Sequence, residues 1–214
     1  MIYDFLKNCR GCVLVGAAKG HERGMFSQYN LNAIFVEARK DVISGKIHKN
    51  PKFKAFNYLV TDKDDQEYNF YVSSNRGLSS SIYSLKDHKK IWKRVSMVDK
   101  VKMRSITLDT LFQKEKLNPE EYDAMVVDVQ GAELLVLKGA KNLLKHLTFI
   151  MVEVADFDAY DGCVKLPEMN KFMNDNGFIE IDRQLQVKKE GIGSYYDIVY
   201  QIDVACHANG GEEC

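Results

Sequence analysis

Three short apolar runs, each ending in a carboxylate, constrain this chain more than any other feature. They are Ala33-Ile34-Phe35-Val36-Glu37, Ala124-Met125-Val126-Val127-Asp128, and the run from Leu147 that closes on Met151-Val152-Glu153. A companion run, Cys12-Val13-Leu14-Val15, ends in Gly16. Apolar runs of this length, without alternation, suit parallel strands covered on both faces. Ligands of open α/β sheets bind beyond the carboxyl ends of the strands. Each acid alone could simply end a strand and cap the next helix. Three of them on one edge predict a polar cleft.

Helical spacing lies between the runs. It predicts helices over His21 to Tyr29, Arg39 to His48, Ala132 to Leu144 with a break at Gly139, and Leu166 to Asn176. Pro167 suits the first turn of the last of these, and Gly177 suits its C-cap. Ser105 to Asp109 reads as entry into a short helix, and Phe53 to Val60 as a weaker strand. Phe178 to Ile181 and Tyr195 to Ile202 read as an antiparallel pair. The order describes a doubly wound α/β sheet, mostly parallel with an antiparallel last strand. One domain over residues 1–214 is expected, with an insertion at about 61–104. Inside the insertion a hairpin is expected between Tyr68–Val72 and Leu78–Tyr83.

Composition narrows the function classes. Lys plus Arg and Asp plus Glu are both 30, so the net charge is zero, which argues against a generic nucleic-acid coat or membrane-surface binder. Lys86 to Arg104 is locally basic, with Asp87 and Asp99 as its only acids. It reads as a solvated helix face, or as a patch for an anionic acceptor such as a phosphorylated glycan or an RNA end. Aromatic residues are too few there for single-strand stacking. No apolar run approaches the ~20 residues of a membrane span. The cysteines (Cys9, Cys12, Cys163, Cys206, Cys214) are odd in number and scattered, which points to a reducing, cytoplasmic setting. Cys9 and Cys12 precede a strand and lack a second ligand pair, so they read as ordinary thiols. Cys214 stands last and makes no prenylation box.

The first turn, Gly16-Ala17-Ala18-Lys19-Gly20, lets a ligand approach the backbone. It lacks the third glycine of a dinucleotide fingerprint, which disfavours a pyrophosphate and a nicotinamide oxidoreductase. Glu37, ending the next strand, can accept both hydroxyls of a ribose. Gly16, Gly20 and Glu37 together suggest a nucleoside-bearing cofactor.

The stretch Val126-Val127-Asp128-Val129-Gln130-Gly131-Ala132-Glu133-Leu134-Leu135-Val136-Leu137-Lys138-Gly139-Ala140 closely resembles the FkbM family of S-adenosylmethionine-dependent methyltransferases. Val15 to Gly20, Phe35 to Ala38, Asn57 to Asp62, Leu78 to Ser81, Ser105 to Leu111 and Tyr196 to Tyr200 resemble further family segments in the same order, so the likeness runs from about Cys12 to Tyr200. It implies a class I methyltransferase fold with S-adenosylmethionine as cofactor. Cofactor contacts are implied at Gly16, Ala17, Gly20, Glu37, Asp62, Asp128 and Gln130. Catalytic roles are implied for Asp128 and Glu153, with no resident metal, although Asp128, Glu153 and Asp156 carry oxygen ligands that suit Mg²⁺. The implied acceptor is a small molecule or glycan bearing a hydroxyl.

Leu14 and Ala18 stand where the family carries Asp and Asn, and His21 and Glu22 are the neighbours able to replace them. Glu133 reads either as a helix-dipole partner or as a cofactor contact. His21 reads as a solvated side chain or a base. Ser79 to Ser81 line an acceptor entrance or form a polar edge strand. Trp92 stacks on a sugar or packs in a core or lid. Two alternatives stand beside sugar O-methylation: an RNA or protein methyltransferase using residues 86–104, and a non-catalytic domain that keeps the fold to bind a partner.

Overall fold

A computed structural model describes residues 2–43 and 47–204. Cys206 and Cys214 lie outside the described residues, as does the middle of the helix expected over Arg39 to His48.

The apolar runs form the centre of a seven-stranded sheet. Its strands are β1 (Gly11–Val15), β2 (Asn32–Glu37), β3 (Phe53–Asn57), β7 (Ala124–Val127), β8 (Phe149–Ala155), β9 (Phe178–Lys189) and β10 (Gly193–Ile202). Their spatial order is β3-β2-β1-β7-β8-β10-β9. Pairing is parallel from β3 to β8, and β10 runs antiparallel to both of its neighbours. The expected reversed strand is therefore the last in sequence and the second from the edge.

Both faces of the sheet are covered, which is why the runs do not alternate with polar residues. Val13, Val15, Ile34, Val36, Met125 and Val127 point to one face. There they pack on α3 (Leu108–Lys114), α4 (Glu133–Lys138) and α5 (Leu166–Asp175). Cys12, Leu14, Ala33, Phe35, Ala124 and Val126 point to the other. They meet the N-terminal turn through Leu6, α1 (Arg23–Gln28) through Phe26, and Ile47. Cys9, Cys12 and Cys163 are free thiols. Among the described residues no helix is long and apolar enough to cross a membrane.

A second sheet of three strands, in the order β4-β6-β5, lies over the carboxyl end of the first. It comprises β4 (Leu59–Val60), β5 (Glu67–Ser73) and β6 (Met97–Ile106). Here the structure corrects several expectations. Phe53 to Val60 is not one strand: β3 ends at Asn57 and β4 pairs with β6 instead. The hairpin of Tyr68–Val72 with Leu78–Tyr83 is reduced to one bridge, Tyr71 with Ser81, while β5 pairs along its other edge with β6. Ser73, Asn75, Ser79 and Ser80 hydrogen-bond to one another and fold the intervening chain into a turn over the buried Ser73, Ser79 and Ser80.

The basic stretch is mostly not helix. Only α2 (His88–Ile91) is helical, and from Met97 the chain is β6. Lys100, Lys102 and Arg104 then fall on one exposed face of a strand, since side chains alternate with period two. Lys102 pairs with Glu67, and Lys100 lies over the Tyr71 ring.

Arg39 to Ile43 is turn rather than helix. The Arg39 N–H is taken by the Glu37 carboxylate, and the Asn57 amide donates to the carbonyls of Glu37 and Ala38. Those two carbonyls are the acceptors that the first turn of a helix starting there would use.

Candidate active site

The sheet reverses its winding between β1 and β7, and the crevice of an α/β sheet opens at such a point. The chain leaves β1 through Gly16 and leaves β7 through Asp128. The Gly16 and Ala17 N–H groups donate to the Val36 carbonyl at 2.9 and 3.0 Å, and the Asp128 N–H donates to the Val15 carbonyl at 3.0 Å. Gly16 has φ +85°, and a Cβ there would collide with the Asp128 carbonyl oxygen. Glycine is thus required by conformation and by close approach alike.

The resulting cleft has a volume of about 690 Å³. At its centre is Glu37. One carboxylate oxygen accepts from the Ala18 N–H at 2.8 Å and the other from the Arg39 N–H at 2.9 Å. Each oxygen keeps a lone pair for a further donor. Burial raises the Glu37 pKa above its ordinary value, and the two backbone donors oppose that shift. Ala38, Tyr58, Leu59, Phe70 and Val129 supply the apolar slot of the cleft, and Leu78 and Ser80, from the turn after β5, also line it.

The far end of the cleft is a polar array. The Gln130 amide donates to Asp128 at 2.6 Å and to Glu153 at 2.9 Å. Its orientation is fixed from behind by the Tyr160 hydroxyl, which donates to the Gln130 carbonyl oxygen at 2.6 Å. Gln130 holds φ +59°, a left-handed conformation unusual for a side-chain-bearing residue. Burial raises the pKa of Asp128. Glu153 is pushed well up, by burial first and then by the Asp128 charge. Two adjacent buried carboxyls disfavour each other's ionisation, and Glu153 is the more strongly raised of the two. Asp197 stands opposite Glu153 on β10, and burial with the Asp128 charge lifts its pKa to about 6.

Glu133 does not face the cleft as an open carboxylate. It is 1% exposed, and it accepts from the Val129 and Gly131 N–H groups at 3.0 and 2.9 Å. It pins the turn that carries Gln130, and burial moves its pKa to about 7.

Of the residues singled out from sequence, Gly16, Glu37, Asp128 and Gln130 line the cleft together. Glu153 stands behind Gln130. Ala17 is buried and supports the turn from behind. Gly20 lets the chain pass Ile47, where a Cβ would stand 2.8 Å from that side chain. Asp62 lies beside Gly139 beyond β4, outside the cleft lining.

Leu14 is a core residue, and Ala18 lines the cleft. His21 is exposed. Glu22 is held above its ordinary pKa by burial, with the Asp128 charge adding to the shift. Asp156 is turned away and accepts from the Ser194 N–H. Sequence reasoning missed Tyr160, His88, Tyr195 and Asp197. Only the signature around Gln130, a polar residue needing an orienting partner, hinted at such a group.

A parallel sheet in this order with a reversed last strand, and a polar cleft at its switch point, is that of the class I methyltransferases. The family model for the methyltransferase FkbM domain matches residues 15–180. The chain belongs to the FkbM methyltransferase family.

Among solved structures, a putative hemolysin from Streptococcus thermophilus superposes with TM-score 0.51 at 12% identity, covering 94% of this chain and 63% of that one. Magnesium protoporphyrin IX methyltransferase from Synechocystis, solved with bound S-adenosylmethionine, gives TM-score 0.46 at 8% identity over 94% of this chain and 74% of its own. A TehB-like methyltransferase from Corynebacterium glutamicum gives 0.45 at 12% identity over 94% and 85%. No curated protein matches the chain.

S-adenosylmethionine is the donor that goes with the family, and the cleft fits it. The backbone approach at Gly16, the spare lone pairs of Glu37 and the apolar slot suit a methionine tail, a ribose and an adenine respectively.

Proposed function

We infer that this methyltransferase acts on a hydroxyl oxygen of a sugar or comparable polyhydroxylated small molecule. The observation carrying the reading is the array at the deep end of the cleft, where Gln130 holds Asp128 and Glu153 together. S-adenosylmethionine supplies a methyl carbon activated by its sulfonium. Glu37 binds the ribose, and the turn from Gly16 to Ala18 lets the backbone approach the methionine end. As the acceptor oxygen gains its bond to carbon and the sulfur–carbon bond breaks, the hydroxyl proton passes to Asp128. Glu153, the more strongly raised carboxyl, stays beside Asp128 without taking part in the proton transfer. The Tyr160–Gln130 contact holds both carboxyls in place.

The basic stretch gives little support to an RNA acceptor. Its strand portion lies on the outer face of β6, with Lys100 and Lys102 already engaged.

The test is transfer of a labelled methyl group to a panel of neutral glycosides. Removing a general base costs ~10²–10⁴ in rate, so Asp128→Asn is expected to lose that much while S-adenosylhomocysteine still binds. Unchanged transfer by Asp128→Asn, or no binding of S-adenosylhomocysteine, would overturn the reading.

A further inference from the structure

Beside the cofactor cleft lies a second, more open groove of about 950 Å³. Its walls come from three distant pieces of chain: the segment from Asn75 to Val95, the Gln130–Glu153 array, and the β9–β10 hairpin through Gln186 and Tyr195. Gln130 and Leu78 line both cavities, so the groove leads to the reacting end of the cleft.

His88 forms part of this wall and is 3% exposed. Its Nδ1 meets the Tyr195 hydroxyl at 2.7 Å. Its Nε2 is buried and is the one buried side-chain polar atom among the described residues without a partner. Buried polar groups are normally paired, and an orphan in a cavity wall asks for a ligand. Trp92, on the same wall, is 46% exposed, an unusual position for so large an apolar ring.

We propose that this groove is the acceptor site, that it takes a neutral polyhydroxylated ring, and that His88 orients the ring while Trp92 supports its apolar face. The proposal rests on the methyl-transfer reading above. The groove's polar groups are amides and hydroxyls: Asn75, Ser79, Gln186 and Tyr195. No Lys or Arg lines it, so a phosphate or carboxylate would find no counter-charge there. Its one carboxyl is Glu153, whose charged form burial and the Asp128 charge disfavour, and its one imidazole, His88, is disfavoured as a cation by burial, so neither an ammonium nor an anion finds a ready counter-charge among the described residues.

A sugar ring offers C–H faces to an aromatic platform and hydroxyls at its rim. Nδ1 is engaged with the Tyr195 hydroxyl, so Nε2 is the free polar atom of His88; it donates or accepts according to the tautomer, and a sugar hydroxyl can answer either. Burial depresses the His88 pKa to about 4, so the ring stays neutral at physiological pH. His88 is thus a positioning residue, and Asp128 remains the base.

Trp92 is the only tryptophan of the chain, so intrinsic emission reports on this groove alone. Protein saturated with S-adenosylhomocysteine is titrated with methyl glucoside, methyl galactoside, methyl mannoside, maltotriose and glucose 6-phosphate, followed by emission and by calorimetry. The titrations are repeated without S-adenosylhomocysteine.

At least one neutral glycoside is expected to change the emission saturably, and the phosphate ester is not expected to bind more tightly. By calorimetry, Trp92→Ala and His88→Gln each lose about tenfold in glycoside affinity, the loss of one good contact, with S-adenosylhomocysteine affinity unchanged. In transfer, His88→Gln raises KM for the glycoside and leaves kcat in place. Trp92→Ala removes a half-exposed ring, so it stays informative if His88→Gln unfolds.

Three results overturn the proposal: S-adenosylhomocysteine binds but no neutral glycoside does; the glycoside binds both variants as tightly as wild type; or the phosphate ester binds best. Failure of S-adenosylhomocysteine alone, with glycosides still quenching Trp92, would instead remove the methyl-transfer reading.

Discussion

Glu133→Gln isolates a cost built into the signature turn. In the native protein one carboxylate oxygen of Glu133 accepts two backbone N–H groups, and the residue is 1% exposed. A glutamine carbonyl can accept the same two bonds without carrying a charge. The folded carboxyl titrates at about 7 against an ordinary value of 4.5, with burial as the leading cause. A pKa raised in the folded state contributes stability below the unfolded value and loses it as pH rises through the folded value. Wild type therefore loses ~3 kcal/mol from this group between about pH 4.5 and pH 8.

Urea unfolding of wild type and variant at several pH values measures the difference, in which the other titrating groups cancel. The variant is expected to gain steadily on wild type as pH rises, to ~3 kcal/mol at pH 8 and above. A difference that stays flat to within ~0.5 kcal/mol from pH 5 to pH 8.5 would refute the argument, since the linkage requires a slope.

Three further outcomes are expected. Glu37→Ala removes a carboxylate able to take two ribose hydroxyls; at ~1.5–3 kcal/mol per charged hydrogen bond, S-adenosylhomocysteine affinity falls by ~10²-fold or more in calorimetry. Retention of micromolar binding would place the nucleoside elsewhere. Gly16→Ala puts a methyl group against the Asp128 carbonyl at φ +85°, so a loss of at least ~2 kcal/mol in urea unfolding accompanies loss of cofactor binding. A variant as stable as wild type would contradict the close approach. His88 has a depressed pKa, so its contribution to stability is present above about pH 6.5 and is lost as pH falls toward about 4. Trp92, with its ring centre 6.5 Å away, is expected to change its emission around pH 4, where the folded-state ring titrates, and an unchanged emission through that range in still-folded protein counts against a titrating neighbour.

The sheet was legible in the sequence because its causes are local. A strand covered on both faces must be apolar at every position, and Cys12 to Val15, Ala33 to Val36 and Ala124 to Val127 satisfy that by composition alone. The acids that end the runs and the glycine of the first turn followed from the same logic. Gly16, Glu37, Asp128 and Gln130 accordingly meet in one cleft.

The second sheet was not legible in this way. β5 and β6 are separated by 23 residues, from Ser74 to Ser96, and are half polar. No local pattern says that Glu67 to Ser73 pairs with Met97 rather than with the nearer Leu78. The serine turn limits the nearer pairing to Tyr71 with Ser81 by engaging the Ser73 and Ser79 N–H groups. The helix expected after β2 is turn as far as Ile43, where the Asn57 amide takes the Glu37 and Ala38 carbonyls that its first turn would use.

Chemistry divides along the same line. The sequence by itself determined which strands end in carboxylates, which turn needs glycine, and which family the signature resembles. Tertiary structure alone decided that Glu153 sits behind Gln130, that Tyr160 orients the amide between two carboxyls, and that His88 from the inserted segment meets Tyr195 from the last strand across 107 residues of chain. The physical reason is that strand and turn preferences are set by neighbours along the chain, whereas a raised carboxyl or an orphaned buried nitrogen depends on which distant groups exclude water together.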